Sequence, residues 1–153
     1  MIAPWPERFK VVRQPNNWTC VAAVGACVVG KTLEEFYAFC GHDGSEILEG
    51  SRHPEKRRGF HMGELAAWLA KHGLHFGAYT RGFSRSIADD FSDYGAAVLT
   101  VASEKYAGGL HCVLFLGEDQ VMDPQHDAFQ LMGRYQIKER WPLVLWDTNG
   151  VTL

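Results

Sequence analysis

Three things are missing from this 153-residue sequence, and each absence narrows the function: an excess of positive charge, a long apolar run and a secretory start. With 15 Lys and Arg against 18 Asp and Glu, the formal net charge is -3, which leaves no basic stripe of the kind that binds nucleic acid. The one basic cluster is short. Arg52, His53, Lys56, Arg57 and Arg58 surround Pro54 and Glu55 in a turn-rich stretch from Gly41 to Gly59, and read as a solvated loop. No stretch approaches the roughly eighteen apolar residues of a membrane span, and Met1 to Arg8 has neither the basic start nor the apolar run of a secretory signal. The expectation is a cytoplasmic protein with neither a nucleic-acid nor a membrane partner. Cysteine is sparse as well. Cys20, Cys27, Cys40 and Cys112 are the only four, and without a secretory signal they are expected as thiols rather than disulfides.

What is present describes one ordinary core. Hydrophobic residues make up 46% and charged residues 22% of a chain whose length suits one domain, and no repeat, low-complexity tract or linker divides it, so residues 1–153 are expected to form a single domain. Trp18 to Val29 is rich in Ala and Val and ends at Gly30, which reads as a buried helix beginning at or just before Cys20, with Thr19 or Asn17 as its cap. Thr32 with Glu35 three residues on resembles a capping box and opens a second helix through Phe39, stopped by Gly41. Leu65, Trp68, Leu69 and His72 form an apolar stripe at helical spacing, a third helix ending at Gly73. From there the period changes to two, and strands are expected over His75–Thr80, Ala96–Ala102, Leu110–Leu116, Gln120–Asp123 and Pro142–Trp146. Helices first and strands second argue for an α+β domain with a largely antiparallel sheet.

Chemistry enters with the thiols. A thiol attacks as its thiolate, and the first turn of a helix favours that anion through unpaired backbone N–H groups and the helix dipole. Cys20 stands at such a position, although a small buried core residue is the alternative there. Cys27 follows two turns later inside the apolar helix and reads as core. Cys40-Gly41-His42 and His111-Cys112 supply four possible zinc ligands, but neither pair has the spacer of structural zinc sites. His42, His53, His61, His72 and His75 lie in loops or near element ends, where solvated surface roles are the default. His111 differs, because it follows Gly108-Gly109-Leu110 and opens a strand at the edge of a cleft.

Asp123, before Pro124, ends the next strand. A three-residue loop at 117–119 would pair Leu116 with Gln120 and Val113 with Asp123, putting Asp123 on the His111 face; a loop of two or four residues would turn it away. Read alone, Asp-Pro is also a turn. Gln14, six residues before Cys20, offers a side-chain amide for an oxyanion hole, with Asn16 and Asn17 as nearer rivals and a polar turn around Pro15 as the other reading.

The order Gln14–Cys20, then Gly59–Leu74, then Leu110–Pro124 resembles the bacteriocin-processing peptidase domains of the papain-like superfamily, which cut after double-glycine leaders. The resemblance implies a papain-like fold, with N-terminal helices, the nucleophile at a helix start, and packing on the sheet. It makes Cys20 the nucleophile, His111 the base, Asp123 the residue orienting the base and Gln14 the oxyanion donor. The implied activity is hydrolysis of a peptide or isopeptide bond in a peptide or protein substrate, or acyl transfer, with no cofactor and no metal. Two departures stand out: Val21 occupies the position where the family usually has Gly, and the His111 to Asp123 interval is short. Nothing here resembles the transporter usually joined to such domains. The competing reading is a catalytically silent papain-like domain that binds a peptide or protein.

Overall fold

The computed structural model describes residues 9–49, 57–77, 80–81, 96–105, 108–117 and 119–145. Three helices precede the strands: α1 (Cys20–Val29), α2 (Leu33–Cys40) and α3 (Met62–Lys71). The stop signals act as read, with Gly30 and Gly41 in the left-handed conformation that only glycine adopts without strain. In the α2 capping box, Thr32 Oγ1 accepts from the Glu35 N–H at 3.1 Å and Glu35 returns a bond to the Thr32 N–H at 2.8 Å. The start of α1 departs from expectation. Thr19 holds the cap position, but its hydroxyl turns back to Asn16 Oδ1 at 3.0 Å and caps no amide of the first turn.

The strands are β1 (Leu74–Phe76), β2 (Thr80–Arg81), β3 (Ala97–Ala102), β4 (Leu110–Phe115), β5 (Gln120–Met122), β6 (Gln130–Leu131) and β7 (Ile137–Leu145). They pair in the order β1-β7-β3-β4-β5-β6, with β2 also on β7, and every described pairing is antiparallel. Three strand expectations are corrected: the strand read over His75–Thr80 is two, β1 and β2, with Gly77 outside both. β6 was not anticipated, being too short to show a period, and β7 begins at Ile137, five residues before the Pro142 start read from the sequence. The charged run Lys138-Glu139-Arg140 hid that beginning, yet Arg140 is buried and Glu139 receives the Thr100 hydroxyl at 2.9 Å. Trp146 lies outside the described residues.

Period-two alternation divides the sheet into two buried faces. Val98, Cys112, Leu114, Leu116, Met122 and Leu143 face the core shared with the helices. Leu99, Val101, Val113, Phe115 and Val121 form a second core with Met132 and Ile137. In the first core α1 lies against β4 and crosses α2 and α3 closely at Gly25, whose carbonyl accepts from Trp68 Nε1 at 2.9 Å. Trp68 is thus part of the core, as the apolar stripe implied, and its ring packs edge-on to Phe36, 5.2 Å between centroids.

The turn-rich loop is held at both described ends. Arg57 Nη1 donates to the Ser45 carbonyl at 2.9 Å and its guanidinium lies 5.1 Å from the centre of the Trp18 ring, a cation–π contact, so this part of the basic cluster is not simply solvated. Arg52, His53 and Lys56 lie outside the described residues. Gly44, at φ +77°, tucks against Phe60 and Trp18, where a Cβ would meet atoms at 3.0–3.1 Å.

The helix crossing yields a stability prediction. A Cβ on Gly25 would stand 2.8 Å from Phe36 and 3.0 Å from Leu65. Gly25→Val is expected to lower unfolding free energy by about 1–3 kcal/mol, the usual cost of overpacking, read from urea midpoints. An unchanged midpoint would mean that α2 and α3 give way at no cost.

Candidate active site

The β4–β5 hairpin decides whether a histidine and a carboxylate meet. Gly117 and Asp119 take positive φ values of 81° and 68°, and the Gln120 N–H bonds back to the Gly117 carbonyl at 3.0 Å. Leu116 N–H donates to Gln120 at 2.8 Å, Phe115 pairs with Val121 and Leu114 with Met122, which is the register of a three-residue loop. Asp123 therefore falls opposite Val113, on the face of His111 and diagonal to it. Their side chains meet inside the protein: His111 Nε2 is 2.7 Å from Asp123 Oδ1, and both residues are buried.

Cys20 arrives from the other side, as the first residue of α1, and its thiol hydrogen-bonds the His111 ring. With Nε2 committed to Asp123, Nδ1 is the ring nitrogen left for the sulfur. Burial pulls the His111 pKa down, but the hydrogen bonds to Asp123 and Cys20 and their negative charge outweigh it, pushing His111 up to about 9. For Asp123, burial raises the pKa, and the hydrogen bonds from His111, Tyr135 and the Gln125 N–H overcome it, bringing the carboxyl down to about 2. The two groups thus stabilise each other's charged forms.

Two members of this cluster escaped the sequence reading. Tyr135 Oη donates to Asp123 Oδ2 at 2.7 Å, and His126 Nε2 lies 3.7 Å from the same oxygen. The His126 signal was available, an imidazole three residues after Asp123 across an Asp-Pro turn. Nothing local marked Tyr135, which comes twelve residues later.

Gln14 is brought to the same place by the backbone, its N–H donating to the Pro124 carbonyl at 2.8 Å. Its side chain is buried, Nε2 gives one hydrogen to the Asn16 carbonyl at 2.6 Å, and Oε1 has no hydrogen-bond partner. Asn16 serves as a local brace, its Oδ1 also accepting from the Trp18 N–H and the Thr19 hydroxyl. Val21, the departure from the glycine pattern, packs in the core shared with the helices.

The remaining thiols differ from Cys20 in their surroundings. Cys27 donates to the Lys10 carbonyl, and burial pushes it up to about 12. Cys40 is pushed up to about 11, first by burial and then by the charge and hydrogen bond of Glu64. Burial, with the negative charge of Cys20 and Asp123, raises Cys112 well above the usual thiol value. His42, expected at the surface, is corrected: its Nε2 donates to Glu64 Oε2 at 2.6 Å, Nδ1 accepts from the Gly44 N–H, and the ring stacks on Phe60. His72 likewise lies against the Trp68 ring, 4.5 Å between centroids. Among the described residues no three His, Cys, Asp or Glu side chains gather to hold a metal ion, and no helix is long and apolar enough to cross a membrane.

No family model matches the chain, and no curated protein matches it by sequence. Solved structures do. The fold is similar to the peptidase domain of Streptococcus ComA, a bifunctional ABC transporter involved in a quorum-sensing pathway, with a TM-score of 0.57 and 15% identity over 88% of this chain and 97% of that one. It is also similar to a double glycine motif protease from an AMS/PCAT transporter, solved with its leader peptide, with a TM-score of 0.53 and 17% identity over 88% of this chain and 91% of that one. The chain therefore has the α+β papain-like fold of these peptidase domains, as the resemblance in sequence order implied.

Proposed function

We propose that the chain is a cysteine hydrolase of peptide or isopeptide bonds, a single domain over residues 1–153. The observation that carries this reading is one arrangement: a thiol at a helix start, hydrogen-bonded to an imidazole whose far nitrogen is fixed by a buried carboxylate. In this reading His111 already holds the proton taken from Cys20, and the thiolate attacks the carbonyl carbon. The backbone N–H groups of the first turn of α1, with the second amide hydrogen of Gln14, receive the negative charge on the carbonyl oxygen. His111 protonates the departing amine, then takes a proton from the water that releases the acyl group from sulfur. Asp123 holds the imidazole in the tautomer and orientation that both transfers require. An amine in place of water would give acyl transfer with the same residues.

Support for a peptide substrate comes from the fold shared with the two transporter peptidase domains. The second neighbour is a double glycine motif protease, so peptides with Gly-Gly before the cleaved bond are the first substrates to test.

Thiol reactivity gives the direct test. Iodoacetamide at pH 6 is expected to modify Cys20 far faster than Cys27, Cys40 or Cys112, as followed by peptide mass, and His111→Ala should abolish the difference. Equal rates at all four thiols would sink the hydrolase and favour a silent peptide-binding domain.

The pH dependence has a definite sign. Because His111 is pushed up to about 9, it carries its proton across neutral pH and loses it only as pH rises through that value. In the kcat/KM profile for a cleaved peptide, the alkaline limb should fall near pH 9. Asp123→Ala removes a negative partner, so that limb should move to lower pH, by about one unit. A limb that stays in place would separate Asp123 from the titration of His111.

A further inference from the structure

We infer that Tyr135 is a positioning residue of the proposed hydrolase, its phenol holding Asp123 in the rotamer that presents Oδ1 to His111. The inference rests on the hydrolase reading and concerns what keeps its third member in place.

Asp123 is 1% exposed, so its oxygens depend on donors from the protein. Oδ1 has two: His111 Nε2 at 2.7 Å and the Gln125 N–H at 2.9 Å. Among the described residues Oδ2 has one within hydrogen-bond distance, the Tyr135 hydroxyl at 2.7 Å. His126 Nε2, at 3.7 Å from Oδ2 on a half-exposed ring, is an ion-pair neighbour rather than a bonded donor. With the phenol gone, a buried carboxylate oxygen would be left to His126. Turning the carboxylate to satisfy that ring would draw Oδ1 away from His111. Tyr135 thus secures the choice between two imidazoles that compete for one acid.

The phenol can do this because its backbone is fixed independently. Tyr135 follows a short 3-10 helix, Met132–Arg134, whose Met132 N–H donates to the Asp119 carbonyl at 2.9 Å in the β4–β5 turn. Arg134 makes a bidentate pair with Glu104 at 2.8 and 2.9 Å and donates to Gln130 at 2.7 Å. The tyrosine ring packs against the second core. Burial, and then the bond to Asp123, raise the phenol far above its ordinary pKa, so it remains a donor at any working pH. The titratable groups around Asp123 are His111 with Cys20 beside it, the neutral thiol of Cys112, His126 in the following turn, and Arg134 with Glu104 beside Tyr135.

The substitution that removes only the hydroxyl is Tyr135→Phe, which leaves the ring in its core. Cys20 alkylation by iodoacetamide, followed by peptide mass from pH 4 to 9, reads its effect without any substrate. At pH 6 Tyr135→Phe is expected to slow Cys20 by about tenfold, the size of one lost bond to a buried charge. The slowing should be greatest at the acid end of that range, because Asp123 without its phenol binds a proton more readily. A structural role would not predict the next result: in an Asp123→Ala background, Tyr135→Phe should have no further effect, because its only route to Cys20 runs through that carboxylate. Replacing the competitor, His126→Ala in the Tyr135→Phe chain, should restore part of the rate. A wild-type rate and profile in Tyr135→Phe, or the same tenfold loss with Asp123 absent, would overturn the tyrosine's role while leaving the His111→Ala result intact. A wild-type protein whose four thiols react alike would overturn the hydrolase and this inference together.

Discussion

The register of one hairpin governs the site. Side chains alternate along a strand, so a slip of one residue between β4 and β5 would send the carboxylate of Asp123 to the opposite face. Gly117 and Asp119 prevent the slip by adopting left-handed backbone, which closes a three-residue turn and pairs Leu116 with Gln120. The same register seats Leu114 and Met122 in the helix-side core and Val113 and Val121 in the other. Burial on both faces therefore enforces the geometry that a buried ion pair needs. Hydrophobic packing supplies the order, and the hydrogen bond between His111 and Asp123 uses it.

The helix side imposes a complementary constraint. α1 is among the most apolar segments of the chain and buries against β4, α2 and α3, so its first residue cannot drift relative to the strand that carries His111. Four thiols share this small core, and electrostatics separates them. Cys27, Cys40 and Cys112 are each pushed toward the neutral thiol by burial, with Glu64 adding to the effect at Cys40 and the charges of Cys20 and Asp123 at Cys112. Cys20 alone among the four combines a helix start with an imidazole partner. The proposed reactivity is thus assigned by position, since the thiols are chemically the same group.

Much of this was readable because the signals are local. The capping box at Thr32, the glycine stops of the helices, the apolar stripe of α3 and the change of period before the sheet each depend on neighbours in sequence. The Cys20–His111–Asp123 grouping was readable for a different reason: the spacing from Asp123 back to His111 fixes a short list of hairpin registers, only one of which brings them together. What stayed hidden is nonlocal. Tyr135 reaches Asp123 across β6 and a 3-10 turn, and a two-residue strand carries no period. The beginning of β7 was masked by three charged residues, one of which is buried by the fold and another tied to Thr100. Thr19 looked like a helix cap because of its type, but Asn16 claims its hydroxyl.

That last misreading bears on the proposed oxyanion site. A capping side chain would satisfy amides of the first turn of α1 and compete with any anion approaching Cys20. With Thr19 turned toward Asn16, its hydroxyl does not take that place, and Cys20 stands at the positive end of the helix dipole. Val21 fits the same logic. Its side chain packs inward with Ala22 and Val24, whereas the group an oxyanion would meet is a backbone N–H, which valine carries as glycine does. Glycine at that position would add backbone freedom, and the burial of Val21 fixes the turn instead. The substitution therefore changes how the first turn is held while leaving its hydrogen-bond donors in place.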